Sequence, residues 1–190
     1  MRTQKERMLV GEAYDPADPQ LLAERRRARE LTREYNDSRS DEVDRRAALI
    51  RRLVPDSGAR IAIEPPFFCD YGSNIHLGDD VFFNFDCVIL DVAPVRIGSR
   101  VLFGPGVHVY AVTHPMSASE RRKGLESGRP VAIGDDVWIG GGAIVCPGVT
   151  IGDRAVIGAG SVVTRDIPAD VFAAGNPCRM VQPIDGAAMG

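Results

Sequence analysis

From Ile133 to Pro168 the chain reads IGDDVW, IGGGAI, VCPGVT, IGDRAV, IGAGSV and VTRDIP when written in sixes. Every hexad opens with an aliphatic residue: Ile133, Ile139, Val145, Ile151, Ile157 and Val163. The fifth place stays small or aliphatic, as Val137, Ala143, Val149, Ala155, Ser161 and Ile167, and glycine recurs in second place at Gly134, Gly140, Gly152 and Gly158. A period of six is neither the helical 3.6 nor the strand's alternation. A unit this short buries too little to stand alone, so it must stack on copies of itself. The expected fold is therefore mainly β, a parallel β-helix in which three hexads close one triangular coil. Successive coils then lie about 4.8 Å apart and satisfy each other's backbone groups. First and fifth residues point inward, while Gly, Asp and Asn suit the corners, often at positive φ. A sandwich would need alternation at a period of 2, which is absent here.

The same phase continues upstream through Ile97, Phe103 and Val109, and an earlier phase fits Leu77, Phe83 and Ile89. Two interruptions stand out. One lies around Asp91 to Pro94; the other is a polar, charged loop, 115–130, immediately after His114. Loops that break a regular scaffold are where function concentrates. Before Ile61 the pattern is helical, with Leu21, Leu22, Ala28 and Leu31, then Val43, Ala47, Ala48 and Ile50. Asp18-Pro19 forms one helix start and Ser40-Asp41 a second, and Pro55 closes the segment. The expected organisation is a helical segment over 1–58 and a β-helix domain over 59–183 with a C-terminal cap. Arginines such as Arg25, Arg26, Arg27 and Arg29 could suggest phosphate binding, yet Glu24, Glu30 and Glu34 offset them. A solvated helix face is the expectation.

Composition narrows the functional classes. A net charge of −3 with 26% charged residues gives no electrostatic case for nucleic acid, a membrane surface or a polyacidic substrate as partner, and a small neutral or locally paired ligand fits better. No apolar run reaches the roughly 18 residues that span a bilayer, and the first residues lack a hydrophobic signal region, so a cytoplasmic location is expected. The four cysteines, Cys69, Cys87, Cys146 and Cys178, lie far apart without CxxC spacing and are expected to be reduced.

Of the three histidines, His76 and His108 fall on outward phases and are expected to be structural. His114 sits at the mouth of the long loop in Thr-His-Pro, where the proline restricts its backbone. An imidazole with a fixed tautomer can accept a hydroxyl proton near neutral pH, so His114 is the best candidate base. Cys146 is expected on an outer position without a neighbouring histidine, which disfavours covalent catalysis.

The stretches CDYGSNIHLG (Cys69 to Gly78), NFDCVILDV (Asn84 to Val92), PGVHVYAVTHP (Pro105 to Pro115), VWIGGGAIVCPGVTIG (Val137 to Gly152) and AGNPCR (Ala174 to Arg179) resemble the maltose and galactoside O-acetyltransferases. That branch of the hexapeptide acyltransferases also includes a nodulation acetyltransferase. The resemblance, from about Lys5 to Gln182, implies a left-handed coil and a homotrimer with sites between subunits. It also implies direct acetyl transfer from acetyl-CoA to a sugar hydroxyl. By motif, His114 matches the catalytic base and Asn84 an asparagine beside the acceptor. Acceptor contacts fall on Asp70, on Phe82, on Asp91 or its neighbourhood, and on either Asp15 or Asp18. Galactoside-type relatives carry serine at the place of Asp70 and tyrosine at that of Phe82, which favours a maltose-type acceptor. Donor contacts fall on Gly141, Ala159, Thr164, Arg165 and Arg179, with Trp138 lining the channel. Gly141 stands where some members have serine, so an oxyanion donor there would be a backbone N–H. Arg165 and Arg179 suit CoA phosphates.

The competing readings are a zinc lyase using three histidines, for which His76 and His108 lack the context, and a non-catalytic assembly module. No metal is expected. Acetyltransfer to a galactoside, a lipo-oligosaccharide or an antibiotic hydroxyl remained the alternative acceptor chemistry.

Overall fold

The computed structural model describes residues 2–184. Three helices precede the coils. Helix α1 (Gln4–Leu9) starts with a capping box, Thr3 accepting from the Glu6 N–H and the Glu6 carboxylate accepting from the Thr3 N–H. Helix α2 (Pro19–Asn36) is capped by Asp18, whose side chain accepts from the N–H groups of Gln20 and Leu21, with Pro19 in the first turn. Helix α3 (Val43–Leu53) begins two residues later than Ser40-Asp41 suggested. Glu42 occupies its cap and makes no side-chain cap bond, because its carboxylate instead accepts from the Arg39 N–H. The buried stripe of this helix is Leu49, Ile50 and Leu53, whereas Val43 is exposed, so its apolar face is shifted from the one read in the sequence. The first strand, Asp56–Ser57, already pairs with the coil above it, three residues before the expected domain start at 59.

Short parallel strands then stack into three faces. The first face contains Asp56–Ser57, Ile75–Leu77, Val95–Ile97, Val131–Ile133 and Thr150–Ile151. The second contains Ala62–Ile63, Phe82–Phe83, Leu102–Phe103, Trp138–Ile139, Val156–Ile157 and Val171–Ala174, capped by the antiparallel strand Arg179–Pro183. The third contains Phe67–Cys69, Cys87–Leu90, His108–Tyr110, Ile144–Val145 and Val162–Val163. This is the parallel β-helix that the hexads implied, with the left-handed sense that the resemblance implied.

All the opening aliphatics from Ile133 to Val163 are buried, as are the fifth-place residues including Ser161. Ser161 can be polar because its hydroxyl donates to the Gly158 carbonyl and accepts from the Gly175 N–H. Toward the helical end the column widens to hold Phe67, Phe83 and Phe103, the last two stacked with centroids 4.3 Å apart. Second-place glycines are required by the coil spacing: a Cβ on Gly140 would lie 2.5 Å from the Ala159 nitrogen.

The corner between the first and second faces departs from the expected Gly, Asp or Asn. Its positive-φ residues are Arg60, Asp80, Arg100, Asp136, Arg154 and Asp170. Arginine is tolerated there because each pairs with an aspartate at the same corner of the next coil: Arg60 with Asp80, Arg100 with Asp136 at 2.6 Å, and Arg154 with Asp170 at 2.6 Å.

Candidate active site

The corner from the third face back to the first is the irregular one. In the three coils nearest the helices it is occupied by residues 70–74, 91–94 and 111–130, so the two interruptions seen in the sequence and a third at Asp70 lie above one another. Asp91 joins the first two. Its carboxylate, fully buried, accepts from the N–H groups of Tyr71 at 2.9 Å, Asp70 at 3.0 Å and Asn74 at 3.3 Å, and its carbonyl accepts from the Asn74 side chain at 2.7 Å. Burial pushes the Asp91 carboxyl up to about 7, against the backbone donors that favour its ionised form.

The long loop is held at its base by an antiparallel pair, Val112–Thr113 with Ser127–Gly128, which sets His114 at the exit of the first strand. Beyond it lie a short helix, α4 (Ala118–Arg121), and Met116, which is 95% exposed. The returning arm is clamped to the N-terminal segment, for Tyr14 and Glu126 exchange both backbone hydrogen bonds and the buried Tyr14 hydroxyl donates to the Glu126 carboxylate at 2.7 Å.

These corners enclose a cavity of about 430 Å³. Asp70 comes from the first corner, Leu90 and Val92 from the second, Val112 and His114 from the third; Glu126, Pro16, Ala17 and the α2 residues Leu22, Arg25 and Arg29 complete it. Asp70 has a carboxyl raised by burial and by Glu126, with Arg25 and Arg29 opposing the rise. Arg25 is anchored by donation to the Tyr71 hydroxyl at 3.1 Å and the Pro16 carbonyl at 2.5 Å. The arrangement is a cleft of mixed polar and apolar lining, with an exposed imidazole at its edge and charges of both signs on its walls.

Of the residues named from the sequence, His114 and Asp70 line this cavity. Asp91 lies beneath it as a structural staple, so its carboxylate is turned to backbone donors and away from the cleft. Asp18 caps α2 and Asp15 accepts from the Ala17 N–H; neither lines the cavity, although Pro16 and Ala17 between them do. Phe82 and Asn84 belong to the second face and its exit corner, at the far side of the third face from His114. Gly141 and Ala159 share that exit corner, and neither N–H donates to any described group. Trp138, 53% exposed, stands on the second face between Leu102 and Val156, and Arg179 on the capping strand over that face. Thr164 and Arg165 follow the last strand of the third face and are exposed at the corner that carries His114 two coils away.

Sequence reading missed Arg25, Arg29 and Glu126. The arginines were visible only as a charged helix, and Glu126 only as part of a polar loop; nothing local to either signals the cleft they share. Cys146 is half-buried beside the inward Val145 and packs partly against the core, and burial raises its thiol. His76 and His108 bond to Asp56 and Tyr110 on separate faces.

Comparison with known proteins gives the class. Residues 7–58 match the maltose acetyltransferase hexapeptide capping motif, and residues 130–165 match the bacterial transferase hexapeptide family of six repeats. Nodulation protein L of Rhizobium leguminosarum bv. viciae is 51% identical over 94% of both chains. A crystal structure of a maltose O-acetyltransferase from Clostridium difficile 630 superposes with a TM-score of 0.96 at 48% identity, covering 97% of this chain and 98% of that one. A galactoside acetyltransferase in complex with coenzyme A superposes with a TM-score of 0.94 at 40% identity, covering 97% and 92%. The chain belongs to the hexapeptide-repeat acetyltransferases, in the branch of the maltose and galactoside O-acetyltransferases.

Proposed function

We propose that this protein transfers the acetyl group of acetyl-CoA to a hydroxyl of a maltose- or glucose-like sugar, with His114 as general base. The supporting observation is the cleft in which His114, the only histidine outside the coils among the described residues, shares a wall with Asp70, Arg25 and Glu126. A hydroxyl held beside His114 passes its proton to the imidazole as the oxygen bonds to the thioester carbonyl carbon; the C–S bond breaks, and the proton leaves with the thiol. Acetyl-CoA supplies the activated carbonyl. On this chain's side, a Gly141 N–H that donates to no described group supports its role as donor to the oxygen on which charge develops, and the exposed Trp138 offers a flat apolar wall to the pantetheine arm. Arg165 and Arg179 offer guanidinium donors for phosphates, and Ala159 and Thr164 present further backbone and hydroxyl groups.

Asn84, Gly141 and Ala159 lie on one side of the third face and His114, Thr164 and Arg165 on the other. A second copy docked on that face would join the two half-sites, which favours a homotrimer with sites between subunits. Asp70 and Phe82 support the maltose-type acceptor over a galactoside. No helix among the described residues is long and apolar enough to cross a membrane, and a cytoplasmic location fits the use of acetyl-CoA.

The test is His114→Ala. Because the residue is exposed at the cleft and outside the aliphatic column, folding and CoA binding should persist while kcat falls by about 10²–10⁴. A variant retaining more than a tenth of wild-type kcat would remove His114 from the chemistry.

A further inference from the structure

The His114 cleft continues along α2. A second hollow of about 330 Å³, lined by Leu22, Arg25, Arg26, Arg29, Glu30 and Arg33, runs along α2 and shares Leu22, Arg25 and Arg29 with it. Inside the cleft the charges balance, Arg25 and Arg29 against Asp70 and Glu126. Along the helix they do not: four guanidiniums face one carboxylate, Glu30.

The unbalanced arginines are also unpaired. None of Arg26, Arg29 and Arg33 has a described carboxylate within 4.0 Å, although Glu30 and Glu34 lie on the same helix, and Glu24 is taken by Lys5 at 2.7 Å. On a helix, residues three and four apart are neighbours, so Arg26 with Arg29, Arg25 with Arg29, and Arg29 with Arg33 repel rather than stabilise. Helix α2 thus holds a row of like charges that its own folding does not use, and Arg29 carries that row to the wall of the site. The face is solvated as expected, but Glu30 and Glu34 form no ion pair with these arginines.

We propose that the strip formed by Arg26, Arg29 and Arg33 recognises a negatively charged substituent on the acceptor, so that the preferred substrate is an anionic saccharide, with a carboxylate or phosphate on the sugar unit beside the one acetylated. This deepens the acetyltransferase reading and rests on it for the location of the accepting hydroxyl. Guanidinium forks bind carboxylate and phosphate in the same planar mode, so both substituents belong to one chemistry. The neutral sugar occupies the balanced cleft, and the anion lies outward along α2, where the field is positive.

The experiment compares maltose, maltobionate and phosphomaltose as acceptors with acetyl-CoA, for wild type and for Arg26→Gln/Arg33→Gln. Neither substituted residue lines the His114 cleft, and both are exposed on α2, so kinetics with maltose should be unchanged. In wild type the anionic sugars should have a kcat/KM about 10-fold above maltose at low ionic strength, an advantage that shrinks with added salt. The double variant should lose most of that advantage, and calorimetric titration with phosphomaltose should show the same loss of binding. Relative rates of maltobionate and phosphomaltose report which anion fits better. Equal kcat/KM for charged and neutral sugars, an undiminished advantage in the variant, or a raised KM for acetyl-CoA as the variant's only effect would overturn the proposal. The two readings fail separately. Acetylation of maltose with no anionic preference refutes the strip and leaves the acetyltransferase standing; arginine-dependent binding of phosphomaltose without acetyl transfer does the reverse.

Discussion

Replacing Asp91 by alanine should destabilise the protein and loosen the acceptor cleft together, because one buried carboxylate holds two of the three corners that build it. Its removal leaves the N–H groups of Tyr71, Asp70 and Asn74 without acceptors in a place closed to solvent. Each unsatisfied buried donor costs about 1–3 kcal/mol, and the 3.3 Å contact counts for less. Against that, the mutant no longer buries a carboxyl that burial has pushed up to about 7. A net loss of about 3 kcal/mol is expected, or a Tm lower by roughly 6–12 °C for a chain this size. Asp91→Asn keeps an acceptor for Asp70 and Tyr71 and should lose only about 1 kcal/mol. The pH dependence separates this account from a simple packing defect. A carboxyl whose folded pKa is raised makes the folded state bind more protons, so its favourable contribution is complete below the ordinary carboxylate value of about 4. It is lost as pH rises through about 7. Wild type should therefore lose stability relative to Asp91→Asn between those limits. Urea melts and calorimetry from pH 4 to 8 at fixed protein concentration, with acceptor KM alongside, make the measurement. An Asp91→Ala protein within about 1 kcal/mol of wild type would refute the staple, and a stability difference between wild type and Asp91→Asn that is flat in pH would refute the raised carboxyl.

Tyr14→Phe removes the donor to Glu126 on the cleft wall and should raise the acceptor KM several-fold while costing about 1 kcal/mol of stability; unchanged KM would mean the clamp does not shape the site. Cys146→Ala should keep most activity, since the thiol is partly buried with its pKa raised and direct transfer needs no acyl-enzyme; a dead variant, or an acetylated cysteine trapped without acceptor, would overturn direct transfer. Gly140→Ala should push apart two coils, because its Cβ meets the Ala159 nitrogen at 2.5 Å, and should cost about 2 kcal/mol in thermal or urea unfolding with CoA affinity reduced beside it.

The coil architecture was legible because its cause is local. Each hexad turns its opening residue inward on a short strand, and from Ile133 to Val163 every opening residue is buried as that rule requires. The cap of α2 at Asp18-Pro19 was equally local. His114 could be singled out because it stands where the repeat breaks, and Asp70 joins it in the cleft by way of the resemblance. Other positions could not be read this way. An acceptor contact was readable only as Asp91 or its neighbourhood; the vertical stacking of residues 70–74 under 91–94 gives Asp91 its backbone donors and puts Leu90 and Val92 on the cavity wall. Arg29 and Glu126 are about a hundred residues apart, and no periodicity links them; a helix laid across one corner and a strand clamped by Tyr14 bring both to His114. Sequence by itself determined the period, the inward column and the place of the break, since those depend on neighbours a few residues away. Tertiary structure alone decided which charges meet, because that depends on how α2 and three successive corners lie over one another.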